Sequence, residues 1–238
     1  KVKVMDIPQD MTPGQYYWEL MVLSPQGVHT YWHPVPRYSK LFVLDREDEN
    51  WTFMIFINGD NNLGILAASI LEDLETKAPD GEFRVIIQID HPWNTMERYE
   101  LRRDGDINQI DSILIYQHQG GSYNSGSALN LYQFMTWSAN YAPAEHYCLV
   151  MWDHGGGFWG CSIDESHQQY NHFNLDDLNE KLTEFKDEKR MLEVLVFDMC
   201  LMSCFEAVAM LKDCVRYMVA SENIVNTVTI EGNVFEHI

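Results

Sequence analysis

Basic residues are scarce in this sequence. Lysine and arginine together number 16, against 36 aspartates and glutamates, and the formal net charge is −20 at pH 7. Nucleic acids and anionic membranes attract basic surfaces, so this balance argues against both as partners. It is compatible with a protein that meets cationic ligands or substrates.

Long apolar runs and nucleotide-binding motifs are also missing. No apolar stretch approaches the roughly 18 residues that suggest a membrane helix. The opening segment KVKVMDIPQD does not have the pattern of a signal peptide. Neither a P-loop nor a G-x-G-x-x-G motif occurs, so no nucleotide site of those kinds is predicted. Seven tryptophans and twelve tyrosines indicate an ordered chain rather than a disordered acidic one.

The five cysteines do not form a disulfide framework by their spacing. An odd number leaves at least one thiol unpaired within the chain, and no C-x-x-C pair occurs. Cys148 and Cys204 are predicted to pack in the core, Cys214 lies near a predicted helix end, and Cys161 is left unassigned. Cys200 differs from these, because it directly follows an apolar, strand-like run.

Two segments differ in composition. Residues 1–50 contain five of the eight prolines and short strand-like stretches such as YYWELMVL and KLFVL, which predicts an N-terminal extension of strands and loops. The acidic segment DREDEN ends this extension as a linker. Residues 51–238 are predicted to form the main domain, with its C-terminal part incomplete.

Apolar strands and amphipathic helices alternate after residue 51. Strands are predicted at WTFMIFING, FRVIIQID, HYCLVMWD, LEVLVFDMC and RYMVASEN, and a small hairpin-like region at ERYELRRDGD and DSILIYQ. Helices are predicted at NLGILAASILEDLETKA, SGSALNLYQFMTWSANYA, NLDDLNEKLTEFKD and SCFEAVAMLKDCV. Asn174 is the predicted N-cap of the third helix, and Ser203 with Glu206 forms a predicted capping box for the fourth. The alternation predicts an α/β fold with a mainly parallel sheet covered on both faces.

Polar residues follow several of these strands at their carboxyl ends. His154 begins an HGGG loop after the third main strand, and Cys200 follows the fourth. The two are 200 − 154 = 46 residues apart, which is one strand–helix–strand unit, so their strands are predicted to be neighbours. A histidine beside a cysteine is a candidate base and nucleophile. The amide of Gly155 or Gly156, together with that of Cys200, would supply an oxyanion hole.

Metal ligands are less clearly indicated. Asp164, Glu165, His167 and His172 lie close in sequence but match no firm zinc spacing. Calcium fits the acidic loops better, since it accepts oxygen ligands at flexible spacing, although no EF-hand loop is present. The sequence therefore requires no cofactor and leaves calcium open.

Four stretches together resemble the clostripain family of cysteine peptidases: WTFMIFINGDNNL, HYCLVMWDHGGGFWG, VFDMCLMSCFEAV and YMVASEN. This family shares its fold with caspases, legumains, gingipains and separases, and the resemblance covers about residues 51–223. It implies a caspase-like three-layer sandwich and a catalytic dyad of His154 and Cys200. It also implies cleavage after arginine or lysine and a secreted or cell-surface bacterial location.

The resemblance further implies an acidic pocket for the basic side chain. Asp198 matches the family's acidic position two residues before the nucleophile, and Asp60, Ser221 and Glu222 are expected to flank the pocket from other strand ends. Carboxylates suit a guanidinium group through paired hydrogen bonds. The implied partners are protein or peptide substrates.

Two departures from the family pattern keep other functions open. Residues 155–180 contain no lysine or arginine, so self-cleavage in that loop is not predicted. The segment NIVNTVTIEGN lacks the family's usual Pro/Gly/Trp-containing continuation. A catalytically inactive binding or structural protein on the same fold is therefore an alternative, and an amidase or transpeptidase that uses the same thiol is another.

Overall fold

The structure is a computed structural model. It describes residues 17–24, 27–34, 51–77, 83–92, 95–102, 110–119, 121–167 and 171–225. The predicted strand KLFVL and the predicted linker DREDEN lie outside these residues.

The described chain is organised around two sheets. Its strands, in chain order, are β1 (Tyr17–Ser24), β2 (Gly27–Pro34), β3 (Trp51–Asn58), β4 (Arg84–His91), β5 (Thr95–Glu100), β6 (Ile113–Gln117), β7 (His146–Trp152), β8 (Cys161–Asp164), β9 (Asn171–Phe173), β10 (Leu192–Asp198) and β11 (Val215–Ala220). Nine of them form one sheet in the order β2-β1-β11-β10-β7-β3-β4-β5-β6, and β8 pairs with β9 separately.

The centre of the large sheet is parallel. Strands β11, β10, β7, β3 and β4 all run in one direction. Antiparallel pairs flank them, with β5 and β6 at one edge and β1 and β2 at the other. The five predicted main strands and the predicted hairpin-like region are confirmed, and the seven strands from β11 to β6 all come from residues 51–238.

Helices cover both faces of the sheet. They are α1 (Gly64–Lys77), α2 (Ala128–Tyr141), α3 (Leu175–Glu188) and α4 (Phe205–Leu211). The apolar residues of α2, α3 and α4 join one core cluster, and those of α1 join the cluster on the opposite face. The predicted three-layer sandwich is therefore confirmed. Strand β3 is buried at every position, because both of its faces are covered.

The start of α3 agrees with its predicted cap. The Asn174 side chain accepts a hydrogen bond from the Asp177 amide at 2.8 Å, which satisfies one of the free N–H groups of the first turn. Leu178, Leu182 and Phe185 lie on the buried face of this helix, at the spacing that the sequence predicts.

The predicted capping box of α4 is wrong. The N-cap is Cys204, and the Ser203 hydroxyl has no hydrogen-bond partner among the described residues. The Ser203 amide instead donates to the Ser221 carbonyl oxygen at 3.0 Å, which ties Ser203 to the end of β11 rather than to the helix. Cys204 therefore precedes the helix instead of lying inside it.

The chain order of the strands places a crevice at the carboxyl edge of the sheet. From β3 the chain first moves outward to β4, and later continues on the other side through β7, β10 and β11. Ligands bind in such sheets where the direction of winding reverses, which here is between β3 and β7. None of the helices in the described ranges is long and apolar enough to cross a membrane.

Candidate active site

His154 and Cys200 leave adjacent strands at the same height. Strand β10 pairs in parallel with β7, and Asp198 is the register partner of Trp152. His154 lies two residues beyond Trp152, and Cys200 lies two residues beyond Asp198. The parallel register therefore brings both residues to one edge of the sheet, as the sequence predicts.

The glycine loop after His154 packs directly on the Cys200 backbone. A Cβ atom at Gly155 would lie only 2.2 Å from the Cys200 carbonyl oxygen, so only glycine fits there. Gly155 also faces Cys161 across an antiparallel bridge. The hydrogen bonds of this bridge join Gly156 to Gly160 and Ser162 to His154, at 2.9 and 3.1 Å. The bridge therefore does not use the Gly155 amide, and none of the backbone hydrogen bonds found between described loop residues uses it either.

The imidazole of His154 is oriented by the loop after β3. Its Nε2 atom lies 2.7 Å from the Asn62 side-chain oxygen. With that oxygen as acceptor, Nε2 carries the proton and Nδ1 is the nitrogen left to accept another. Burial lowers the pKa of His154, and the Glu165 carboxylate opposes this only in part. The ring is therefore neutral at neutral pH, which is the form that a general base requires.

Asn61, next to that partner, fastens the same loop to the glycine loop. Its side-chain nitrogen donates to Asp153 Oδ1 at 2.7 Å and to the Ile163 carbonyl oxygen at 2.8 Å. Asp153 Oδ2 accepts from the Ile163 amide at 2.6 Å. Burial raises the pKa of Asp153, while these hydrogen bonds oppose the rise. Asn61, Asn62 and Asp153 are not predicted as functional residues from the sequence, although each lies just after a buried strand, which is the signal that could have pointed to them.

Cys200 lies half-buried against the segment that follows β11. The Val225 amide nitrogen is 3.3 Å from Cys200 Sγ, and the Val225 carbonyl oxygen is 3.7 Å from it. The Leu201 amide donates to the Asn223 carbonyl oxygen at 3.1 Å, so the two segments run side by side. Residues 221–225 thus form one wall beside the candidate nucleophile.

The other cysteines have different environments. Cys148, Cys161 and Cys214 are buried, and burial raises the pKa of each, to about 12 for Cys214. Their thiols therefore stay protonated and unreactive. Cys204 is half-buried and packs against the core cluster formed with α2, α3 and α4. The predicted core position of Cys148 is confirmed, whereas Cys204 lies at the margin of the core.

The four predicted pocket residues lie in different environments. Asp198 is half-buried, and none of the hydrogen bonds or ion pairs found in the described part of the chain involves its carboxylate. Desolvation raises its pKa to about 7. Glu222 is exposed, whereas the Ser221 hydroxyl closes a tight turn with the Asn223 amide and carbonyl, both at 3.1 Å. Of the three predicted pocket carboxylates, Asp198 lies two residues before Cys200, and Glu222 lies in the segment that follows β11.

Asp60 lies in a separate buried cluster. It is 4% exposed and is grouped with Asp90 and Asp164, whose nearest carboxylate oxygens all lie within 4.8 Å of one another. Desolvation, reinforced by the negative charge of Asp164, raises the pKa of Asp60. His167, a residue weighed as a zinc ligand, instead lies 3.0 Å from the Asp164 carboxylate. Within the described ranges, this is the one group of three or more side chains placed to share a metal ion.

Comparison with known families identifies the family of this chain. The sequence model of the clostripain family matches residues 55–238, which include His154, Cys200 and both loops around them. The chain belongs to the clostripain family. No curated protein sequence matches it.

Solved structures of clostripain-family (C11) proteases have the same fold. A secreted C11 cysteine protease from Bacteroides thetaiotaomicron, solved with an irreversible peptide inhibitor, is 21% identical, with a TM-score of 0.64 over 77% of this chain and 56% of its own. An inactive zymogen C11 protease from Parabacteroides distasonis is 24% identical, with a TM-score of 0.62 over 79% of this chain and 54% of its own. The chain thus spans just over half the length of these structures.

Proposed function

We propose that this protein is a cysteine endopeptidase in which Cys200 is the nucleophile and His154 is the general acid and base. One observation carries the proposal: the two residues leave neighbouring parallel strands two positions beyond one register pair, with the Gly155 backbone against Cys200. Membership of the clostripain family supports the same assignment. A secreted or cell-surface location, which the resemblance implies, is part of the proposal.

In the proposed reaction, the neutral His154 ring takes the proton of the Cys200 thiol and becomes an imidazolium, and the Cys200 thiolate attacks the carbonyl carbon of the scissile peptide bond. The carbon–nitrogen bond then breaks, and the leaving amine takes a proton from the His154 imidazolium. A water molecule, deprotonated by His154, attacks the resulting thioester, and Cys200 is released. His154 is suited to this exchange because its ring is held by Asn62 while its second nitrogen remains available.

The amides of Gly155 and Cys200 are proposed to hold the oxyanion. Negative charge develops on the carbonyl oxygen of the substrate as the sulfur attacks, and amide donors fixed in advance stabilise that charge most. The close contact between the Gly155 backbone and the Cys200 carbonyl oxygen brings the two residues side by side, which supports this assignment.

We propose that the side chain before the cleaved bond is arginine or lysine. Asp198 has no ionic partner in the described part of the chain, so it is available to a guanidinium or ammonium group. The net charge of −20 draws cationic segments toward the protein. Exposed apolar side chains next to the site favour a polypeptide over a small molecule, among them Phe158 and Trp159 beyond the glycine loop and Ile224 beside Val225.

Active-site labelling tests the proposal. The chain is treated with a peptidyl acyloxymethyl ketone that ends in lysine or arginine, and its intact mass is measured. We expect one adduct on the unmodified protein, none on Cys200→Ala and an unchanged adduct on Cys204→Ala, because Cys204 is the other half-buried thiol. Equal labelling of Cys200→Ala, or no adduct on the unmodified protein, would sink the assignment.

A further inference from the structure

Four large apolar side chains are exposed beside the glycine loop, and together they are called the apolar patch. Phe158 and Trp159 lie in the short 3₁₀ turn that follows the loop, Leu201 directly follows Cys200, and Phe205 is the first residue of α4. The exposed fractions of the four side chains are 58%, 70%, 40% and 81%, respectively. Apolar side chains that are exposed together, unlike single ones, mark a place where a ligand or partner binds.

The two halves of the apolar patch lie against each other. A Cβ atom at Gly157, which precedes Phe158, would be 3.3 Å from the Leu201 carbonyl oxygen and 3.9 Å from Cys204 Sγ. Cys204 is directly followed by Phe205, and the 3₁₀ turn lies against α4. The two aromatic rings of that turn are 4.9 Å apart between their centroids. The apolar patch is therefore one group of neighbouring side chains.

Leu201 has a backbone conformation that leucine rarely adopts. Its φ is +63°, in the left-handed region that favours glycine. The Leu201 amide donates to the Asn223 carbonyl oxygen at 3.1 Å, which helps to hold this conformation. Strained backbone of this kind is concentrated at functional sites, and Leu201 directly follows the candidate nucleophile. The conformation therefore supports a role for Leu201 at the site rather than in the core.

The position of His154 defines which part of a substrate meets the apolar patch. Cys200 lies between the segment 221–225 on one side and Gly155 on the other, as the strand order β11-β10-β7 requires. His154 is proposed to give a proton to the leaving amine, so the residues after the cleaved bond pass on the side of the glycine loop. Gly155 and Phe158 are three residues apart, a span of at most about 10 Å that three extended substrate residues also cover. The apolar patch is therefore within reach of the first three residues after the bond.

We infer that the apolar patch binds an apolar side chain among the first three substrate residues after the cleaved bond, and that Trp159 and Phe205 determine this preference. The inference rests on the proposed peptidase function and adds a second selection to it, separate from that of Asp198 for the residue before the bond. An apolar side chain that leaves water against these rings gains free energy, whereas a polar side chain of similar length loses hydrogen bonds to water.

Cleavage of paired peptides tests this inference. Quenched fluorescent peptides keep lysine before the cleaved bond and carry either phenylalanine or asparagine at one of the three positions after it. We expect kcat/KM to be about tenfold higher for the phenylalanine peptide at one or more of these positions, because partial burial of such a side chain is worth a factor of this order.

Variants assign the preference to the apolar patch. Trp159→Ala and Phe205→Ala should each lower the phenylalanine-to-asparagine ratio of kcat/KM at least about threefold, because each removes apolar surface. A general loss of activity leaves this ratio unchanged, since it affects both peptides equally. Leu114→Ala should keep the full ratio, because this exposed apolar side chain lies in β6 at the far edge of the sheet.

A peptidyl-lysine aminomethylcoumarin, which has no residue after the cleaved bond, distinguishes the possible failures. Turnover of this substrate together with equal kcat/KM for all paired peptides would overturn the inference and leave the peptidase proposal standing. No turnover of any substrate would refute the peptidase proposal and the inference with it. Equal kcat/KM together with a dimer that Trp159→Ala converts to a monomer in sedimentation would also overturn the inference, and would identify the apolar patch as a contact between two copies of this chain.

Discussion

Replacing Gly155 with alanine would place a methyl carbon where the backbone of the candidate nucleophile lies. The added Cβ would be 2.2 Å from the Cys200 carbonyl oxygen, 2.9 Å from Met202 Cγ and 3.0 Å from Met199 Cβ. A close carbon–oxygen contact is normally about 3.3 Å, so the two backbones must separate by about 1 Å. The Met202 side chain can adjust, but Met199 Cβ and the Cys200 carbonyl oxygen can move only with their own backbone.

This displacement sets the size of the expected effect. Overpacking of this kind destabilises a protein by about 1–3 kcal/mol. A misplacement of about 1 Å between catalytic groups costs on the order of 100-fold in rate. For Gly155→Ala we therefore expect kcat/KM to fall about 100-fold on a fluorogenic peptide ending in arginine or lysine, with a lower unfolding temperature.

Gly156 provides the matched control. An added Cβ there would be no closer than 3.4 Å to Trp159 Cβ and 3.5 Å to the Gly160 carbonyl oxygen, which are ordinary contacts. Gly156→Ala should therefore keep most of the activity and stability. If the two variants lost activity equally, or if Gly155→Ala were as active as the unmodified protein, the inferred contact between the glycine loop and Cys200 would be refuted.

Two further predictions concern charge and orientation at the site. The pKa of Asp198 is raised to about 7, so its carboxyl group is protonated below that pH. On basic substrates, kcat/KM should therefore rise between about pH 6 and 8. Asp198→Asn should abolish both this pH-dependent rise and the preference for basic residues. The raised pKa also means that ionised Asp198 destabilises the fold, so the free energy of unfolding should fall as the pH rises from about 4 to 7. Unfolding temperatures measured across this pH range should fall more steeply for the unmodified protein than for Asp198→Asn, and equal slopes would contradict the prediction. Asn62→Ala removes the hydrogen-bond partner of His154 Nε2 and should lower kcat about tenfold, with little change in KM. The loss is smaller than the roughly 100-fold or more that general acid–base catalysis contributes, because the His154 ring itself remains. An unchanged kcat in separate kcat and KM measurements would show that Asn62 does not position the ring.

The sequence predicts the parts of the site that depend on strand ends. His154 and Cys200 each follow an apolar run, and the parallel arrangement of those runs is sufficient to bring them to one edge. The HGGG loop likewise signals a close backbone approach, although only the structure shows that Gly155 meets Cys200. Local pattern and fold class therefore locate the candidate dyad.

Contacts between distant segments account for what the sequence does not predict. The S-x-x-E pattern at Ser203 is a good local capping signal, but a hydrogen bond to Ser221 in another element fixes that residue instead. The resemblance implies that Asp60 flanks the pocket, and only the packing of β4 and β8 around it shows its buried cluster with Asp90. In both cases the contacts come from residues distant in sequence, which a local pattern does not reveal.

The pairing of the first strand with the last also affects the order of folding during synthesis. Glu19 in β1 is the register partner of Ala220 in β11, and 220 − 19 = 201 residues separate them. At roughly 5–20 residues per second, a ribosome needs about 10–40 s to make that stretch. Contacts of such long sequence separation form slowly, so the β1–β2 hairpin would wait on the nascent chain until the core of the sheet has assembled. A folding factor that shields this hairpin would therefore act early, before the candidate nucleophile has been synthesised.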